Sequence, residues 1–288
     1  MWVILSLLSA LFSGTAWALS KGASSADAKG AIALRSIALL LFTLLYVALF
    51  GSFGEFIAID KPALWSAVGA GLTAAVGLVC FQQLIRDGLG RGAMLEKLSI
   101  VVIAIAEWLF FGASWSILGF SGLALISIGV GLMSLDKSTT IDTTRRFCDL
   151  GLIIGTVGFT SASSVLAKLA VGGVSAEIAL CYRTGIVMLA VVIWLFFTRS
   201  LSCVRQISPR QRLLLMASGV SAGVAWLCYY FALSSGSAST VHGIDKLNVL
   251  VTSVCGSVFF GERYPRKMLA GIALMISGIL LWSVAHYS

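Results

Sequence analysis

Apolar residues along this chain fall in long runs, and polar ones gather in the short gaps between them. The runs cover approximately residues 2–20, 31–53, 63–86, 92–111, 116–134, 149–170, 176–198, 210–234, 240–260 and 265–285. Each is long enough, at roughly 18 residues or more, for a helix to cross about 30 Å of hydrocarbon. A soluble helical bundle needs a polar face on most helices, and these runs lack one. The pattern predicts an all-α integral membrane protein with ten transmembrane helices. Pro62, Pro209 and Pro265 fall at or just before helix starts, where the missing N–H is harmless. Residues 135–148, LDKSTTIDTTRRFC, are the most polar stretch and read as a linker.

The runs also repeat. Residues 95–132 align without a gap on 244–281 through Lys97-Leu98 and Lys246-Leu247, then Phe110 to Gly112 and Phe259 to Gly261. A Gly-x-Ala-Leu step follows in both copies, at Gly122, Ala124, Leu125 and at Gly271, Ala273, Leu274, and then a late glycine, Gly129 or Gly278. Weaker echoes extend the match toward the start of each half: Lys21 with Lys168, Leu34-Arg35 with Tyr182-Arg183, Cys80-Phe81 with Cys228-Tyr229. The expected division is residues 1–137 and 138–288, five helices each. An odd number of spans per copy turns the second copy over, so the expectation is two inverted five-helix repeats.

Composition agrees with a membrane protein: 59% hydrophobic residues, 11% charged, and a mean hydropathy of +1.00. The net charge of +8 does not point to nucleic acid, because the cations sit in loops beside spans and suit lipid head groups. Arg and Lys concentrate after spans 1, 3, 5, 7 and 9, including Lys29, Arg86, Lys137, Arg146, Arg205 and Arg263. The positive-inside rule then places both termini on the non-cytoplasmic side of a cell inner (plasma) membrane. Residues 16–18, Ala-Trp-Ala, resemble a signal-peptide cleavage site, but the segment lacks a basic start and aligns with a later helix, so it reads as the first span. Cys80, Cys181, Cys228 and Cys255 lie inside apolar runs without metal spacing and read as packing residues. Gly151/Gly155 and Gly219/Gly223 are small-residue faces for helix contact.

The succession Gly-Ile-Asp-Lys-Leu (243–247), Phe-Phe-Gly-Glu-Arg (259–263) and Gly-x-Ala-Leu-x-x-x-Gly (271–278) resembles the closing part of an EamA repeat of the drug/metabolite transporter superfamily. Glu96-Lys97-Leu98 and Phe110-Phe111-Gly112 resemble it more loosely, so the likeness covers nearly the whole chain. It implies ten helices around a central cavity, spans 5 and 10 at the periphery, and transport of small metabolites such as amino acids, commonly by export. Two departures are visible. Ala113 stands where Glu262 follows the second Phe-Phe-Gly, and no proline lies at 92–100 or 240–248, so nothing in the sequence calls for a kink in spans 4 and 9.

Polar groups inside a bilayer are costly, which makes each one a candidate. Glu107 is the clearest, mid-span where the other half has Gly256. It could bind a substrate amine or exchange a proton; the plainer reading is a structural pair with a neighbouring helix. Glu96, Ile100, Ile103 and Glu107 share one stripe of span 4, with Lys97, Ala104 and Trp108 on the next. In span 9 the equivalents are Asp245, Thr252 and Gly256, beside Lys246, Ser253 and Ser257. Lys97 and Lys246 could meet a substrate carboxylate or snorkel from helix ends; adjacent acids face away from them, so their partners lie on other helices. Trp17, Trp226 and Tyr230 could hold an apolar side chain or a cation, or mark the interface belt. Gln82 and Tyr182-Arg183 are further candidates, and Ser6, Ser9, Ser13 and Ser20 form a polar stripe on span 1. Snorkelling is the simpler account of Lys21 and Lys168, a structural role that of His242, and pairing with Arg263 or Arg266 that of Glu262.

The inverted repeat favours a secondary transporter working by alternating access. The substrate expected is a small metabolite, an amino acid or relative, with protons as a candidate coupling ion. A lipid-linked substrate flippase is the alternative. A membrane-embedded enzyme would need a nucleophile with its base or clustered ligands, and neither is visible, so the chain is expected not to be an enzyme. No Walker sequence offers direct ATP coupling, no cofactor or metal is expected, and the chain is expected to be a monomer or weak homodimer.

Overall fold

A computed structural model describes residues 1–51, 54, 56, 59–86, 95–112, 116–134 and 146–285. Its α-helices are α1 (Trp2–Lys21), α2 (Ala28–Phe50), α3 (Lys61–Arg86), α4 (Ser99–Phe111), α5 (Ile117–Ser134), α6 (Arg146–Ala170), α7 (Ala176–Phe197), α8 (Pro209–Ser235), α9 (Ala238–Asp245), α10 (Asn248–Phe260) and α11 (Arg266–Ala285). With α9 and α10 taken as one segment, eight of the described helices are long and apolar enough to cross a membrane; Ile117–Met133 is a shorter apolar helix. Leu41, Leu45 and Leu49 on α2, Phe196 and Phe197 on α7, and Val254 and Val258 on α10 are exposed, as lipid-facing side chains would be.

Local chemistry sets the helix ends. The Asp27 carboxylate accepts the Lys29 and Gly30 N–H groups at 2.9 and 3.3 Å, so α2 begins three residues earlier than the apolar pattern suggested. Ser208 and Gln211 form a capping box with Pro209 as the first residue of α8. The linker expected at 135–148 lies outside the described residues up to 145, and 146–148 already belong to α6.

Three departures from the sequence reading matter for function. First, the segment read as continuous span 9 tightens between α9 and α10. Lys246 N–H reaches Gly243 O at 3.1 Å, Leu247 N–H reaches Ile244 O at 3.0 Å and Leu250 N–H reaches Leu247 O at 2.9 Å. Glu96–Leu98, ahead of α4, is a 3-10 turn at the aligned place. Both are i→i+3 segments with right-handed backbone angles, so the interruption needs no proline. Second, Trp108 is 54% exposed and faces outward, while Ile100, Ile103, Ala104 and Glu107 are buried. Third, the two small-residue faces are not used alike: a Cβ at Gly219 would lie 2.5 Å from Arg35 O and one at Gly155 3.3 Å from Cys80 Sγ, whereas Gly151 faces open space.

The helices pack in matched pairs. α1 lies beside α8, and α3 beside α6; α2 touches α7 and α8, and α3 touches α7; α1 also meets α10, and α4 meets α6. Alanines at 67, 70, 167, 179 and 232 are buried in the centre, where they let backbones approach. To one side α5 and α11 run antiparallel through a glycine seam. A Cβ at Gly129 would lie 2.6 Å from Gly271 O, and one at Gly278 would lie 2.6 Å from Gly122 O.

Candidate functional site

The two tightened segments carry the charges. From the 3-10 turn before α4, Glu96 accepts a bond from Lys246 Nζ at 2.5 Å and lies 3.9 Å from Lys97 Nζ. Lys97 in turn donates to Asn248 Oδ1 at 2.9 Å. Asp245, the last residue of α9, accepts Ser9 Oγ at 2.7 Å and Ser13 Oγ at 3.5 Å. Lys246 and Asn248 are each 6% exposed. Two lysines, two carboxylates, an amide and two hydroxyls therefore meet where α1 crosses the matched helix breaks. The serine stripe on span 1 supplies this wall, and the lysines find their closest partners across the bundle.

A second polar layer adjoins this one. His242 on α9 is 4% exposed, with Nε2 at 2.9 Å from Ser99 Oγ and Nδ1 at 3.1 Å from Tyr229 OH and 3.3 Å from Ser164 Oγ. Glu107 is the cap of α9: its carboxylate accepts the Ala238 N–H, the Ser239 N–H at 3.0 Å, and the Ser239 hydroxyl. Negative charge at a helix N-terminus is stabilising there. Lys168, within electrostatic reach of Glu107, caps the other side of the same corner by donating to Leu233 O at 2.6 Å and Gly236 O at 2.8 Å. It is bound to backbone rather than snorkelling.

At the opposite end of α1, Lys21 pairs with Glu262 and lies 5.2 Å from the centre of the Phe260 ring. Glu262 also accepts Tyr264 OH at 2.6 Å; the expected Arg263 or Arg266 pairing is not among the ion pairs of the described residues. These bonds hold the Glu262 carboxyl below its ordinary value of 4.5, while burial and the bond to Glu262 push the Tyr264 phenol up to about 12. A Cβ at Gly256 would lie 2.5 Å from Glu262 Oε2. The Glu262 carboxylate thus occupies the space that a side chain at 256 would fill. The aligned pairs thus differ in opposite directions: Glu107 stands where the other copy has Gly256, and Glu262 where it has Ala113.

The aromatic candidates separate. Trp226 stacks under the Arg183 guanidinium, 3.8 Å from carbon to ring centre, and touches Tyr229 and Tyr230. Trp17 instead lies against Arg35 and Phe81. Tyr182 points away from the polar centre and donates to Phe56 O at 3.0 Å. Thr252 Oγ1 donates to Asn248 O in its own helix at 2.9 Å. The side chain of Gln82 lies outside the described residues. Lys97, Lys246 and Asp245 are thus brought together, Trp226 and Tyr230 form a neighbouring group, and Trp17, Tyr182 and Thr252 do not join them. Asn248 was missed in sequence, and only its place directly after the repeated Lys-Leu pair could have signalled it.

A bundle of apolar helices with charge buried at its centre defines a multi-pass membrane protein. Residues 149–284 match the EamA-like transporter family. A Sinorhizobium sp protein described as an uncharacterized transporter is 29% identical over 126 residues, 44% of this chain and 89% of that one. A Lactobacillus johnsonii protein to which sugar uptake has been ascribed is 27% identical over 192 residues, 62% of each chain. A crystal structure superposes with a TM-score of 0.79 over 99% of this chain and 98% of the other at 12% identity, which speaks to fold alone. The second part of the chain thus carries an EamA-like transporter domain. The matched family and the named relatives support membrane transport as the role of the chain.

Proposed function

We propose that this transporter carries a small zwitterionic metabolite, an amino acid or a relative of one, by alternating access between two inverted five-helix halves, with export the favoured direction. The observation that carries the reading is the buried meeting of Lys97, Glu96, Lys246, Asp245 and Asn248 at two matched helix breaks. A solute with both charges can exchange with such pairs without leaving either sign unpaired, and interrupted helices free backbone groups at mid-membrane depth.

The inverted repeat, with halves at 1–137 and 138–288 and ten crossings, is supported by the pairing of helices. Exchange of the halves turns α1 beside α8 into α6 beside α3, and α1 beside α10 into α6 beside α4, and both members of each pair occur. The glycine seam has the same property: Gly129 meets Gly271 and Gly122 meets Gly278, each the other half's counterpart in the crossed sense. Cation-rich loops on one face support placing both termini on the non-cytoplasmic side of the inner membrane. A membrane-impermeant thiol reagent should therefore label a cysteine added at residue 288 in intact cells; labelling only after permeabilisation overturns the orientation.

Counterflow in proteoliposomes tests the function. Saturable exchange of labelled amino acids supports the reading, whereas exchange of sugars alone removes the substrate class and keeps the transport mechanism. One feature favours lipid as a second reading. A cavity of about 240 Å³ between α2, α3 and α7 is walled by apolar groups such as Ile32, Val76, Leu78, Val79, Val191 and Trp194, a lining suited to an acyl chain. Scrambling of a fluorescent phospholipid with no solute exchange would make the protein a flippase.

A further inference from the structure

Arg183 is the eighth residue of α7, about 10 Å along the axis from the helix start. It is 7% exposed, and its Nε has no hydrogen-bond partner. No carboxylate pairs with it among the described residues. Its one strong contact is the face of Trp226. Tyr230, whose ring centre is 6.5 Å from that of the same tryptophan, is fully buried, and its hydroxyl has no partner either. The other buried charges of the polar centre are satisfied by an acid, an amide, serine hydroxyls or the end of a helix. Among the described residues, a permanent cation and a neutral donor are left unmatched side by side here.

A guanidinium stays charged, and one held inside a membrane protein calls for a counter-anion. Stacking on Trp226 occupies one face of the group and leaves its edge, a planar fork of donors, free. The ligand that matches a fork edge-on with a single negative charge is a carboxylate. A phosphate carries more charge and commonly recruits several cations, and among the described residues no second cation lies against Trp226. The repeat sharpens the point. Arg35, aligned with Arg183, also lies against a tryptophan, at 4.9 Å, but it is partly exposed and can be hydrated.

We infer that the Arg183–Trp226 pair, with Tyr230 beside it, is the carboxylate-recognition site of this transporter. The inference rests on the transport reading given above and adds a condition to it: substrates bear a free carboxylate. Tyr229 links this group to the central charges, since it reaches His242, which reaches Ser99 at the start of α4. Arg183 is then a binding residue one layer from the lysine cluster.

The test uses the purified full chain in phosphatidylcholine nanodiscs, with thermal stability read against the twenty L-amino acids, lactate and benzoate, their carboxamides, inorganic phosphate, and added phosphatidylglycerol. Stabilisation by at least one carboxylate, and at least ten-fold weaker binding of its amide, is expected. Arg183→Gln should weaken that carboxylate at least ten-fold. Arg183→Lys, which keeps the charge and loses the fork, and Trp226→Leu, which loses the stacking face, should each weaken it several-fold. The inference is overturned if the amide binds equally, if no carboxylate binds, or if only phosphate or phosphatidylglycerol stabilises. It is also overturned if Arg183→Gln binds as the parent does. Should that variant fail to fold, unchanged affinity in both Arg183→Lys and Trp226→Leu decides against it. Counterflow separates the two readings. Exchange of an uncharged solute that Arg183→Gln leaves intact removes the carboxylate site and keeps transport; carboxylate binding without any exchange does the reverse.

Discussion

At the scale of single residues, the acids divide by what holds them. Both Glu107 oxygens are committed to the start of α9, which makes it a positioning residue. Glu107→Gln keeps the shape and loses the charge at a helix N-terminus, so a destabilisation of about 1–2 kcal/mol is expected in detergent melts. The pH profile of transport should stay as it was. Asp245 is held only by serine hydroxyls, and Asp245→Asn is the variant expected to flatten that profile if protons are coupled. Glu262 gives a separate pH signature. Its carboxyl is held below 4.5 by Lys21 and then Tyr264, so its contribution to stability is fully present above that value and is lost as pH falls through the lowered one. The difference in melting temperature between the parent and Glu262→Gln should accordingly narrow on acidification; a difference that widens would contradict the pairing. Glu107 and Asp245 could be picked out in sequence because a carboxylate inside an apolar run has no inexpensive alternative. Their partners could not, since the contacts cross up to 236 residues and depend on which helices touch.

Among the elements, the seam between α5 and α11 allows the most direct test. A side chain at Gly129 would press on backbone rather than on a flexible group, so the helices must separate. Gly129→Val is expected to cost about 1–3 kcal/mol by overpacking. Gly151→Ala, in open space on α6, should be neutral or slightly stabilising, because alanine favours helix by up to about 1 kcal/mol. Equal losses for both would show that the seam is not special. The repeat made these glycines visible as recurring letters, and Phe-Phe-Gly likewise marked two true helix ends: Gly112 and Gly261 both have φ of 65°, the left-handed conformation that glycine tolerates. The tightening before α4 and between α9 and α10 had no such mark. What the two segments share is tertiary, a lysine at 246 meeting a glutamate at 96, and no proline signals it.

For the whole molecule, the long apolar runs and their repetition were enough to read class and family. The depth at which each polar group sits, and the separation of the Arg183 corner from the lysine cluster, needed the packed bundle. The Sinorhizobium relative, in which 126 matched residues make up 89% of the protein, is about half as long as this chain. If the halves are equivalent units, residues 1–137 and 138–288 expressed as separate chains should co-purify and recover carboxylate stabilisation. Recovery of either half alone as the stable species would speak against a shared centre.

The seam also has a bearing on biogenesis. α5 emerges about 130 residues of synthesis before the helix that covers its glycine face. Until α11 leaves the ribosome, Gly122 and Gly129 face lipid or a chaperone instead of a partner backbone. A chain cut between residues 134 and 266 leaves that face open, a mark that a membrane protease can read.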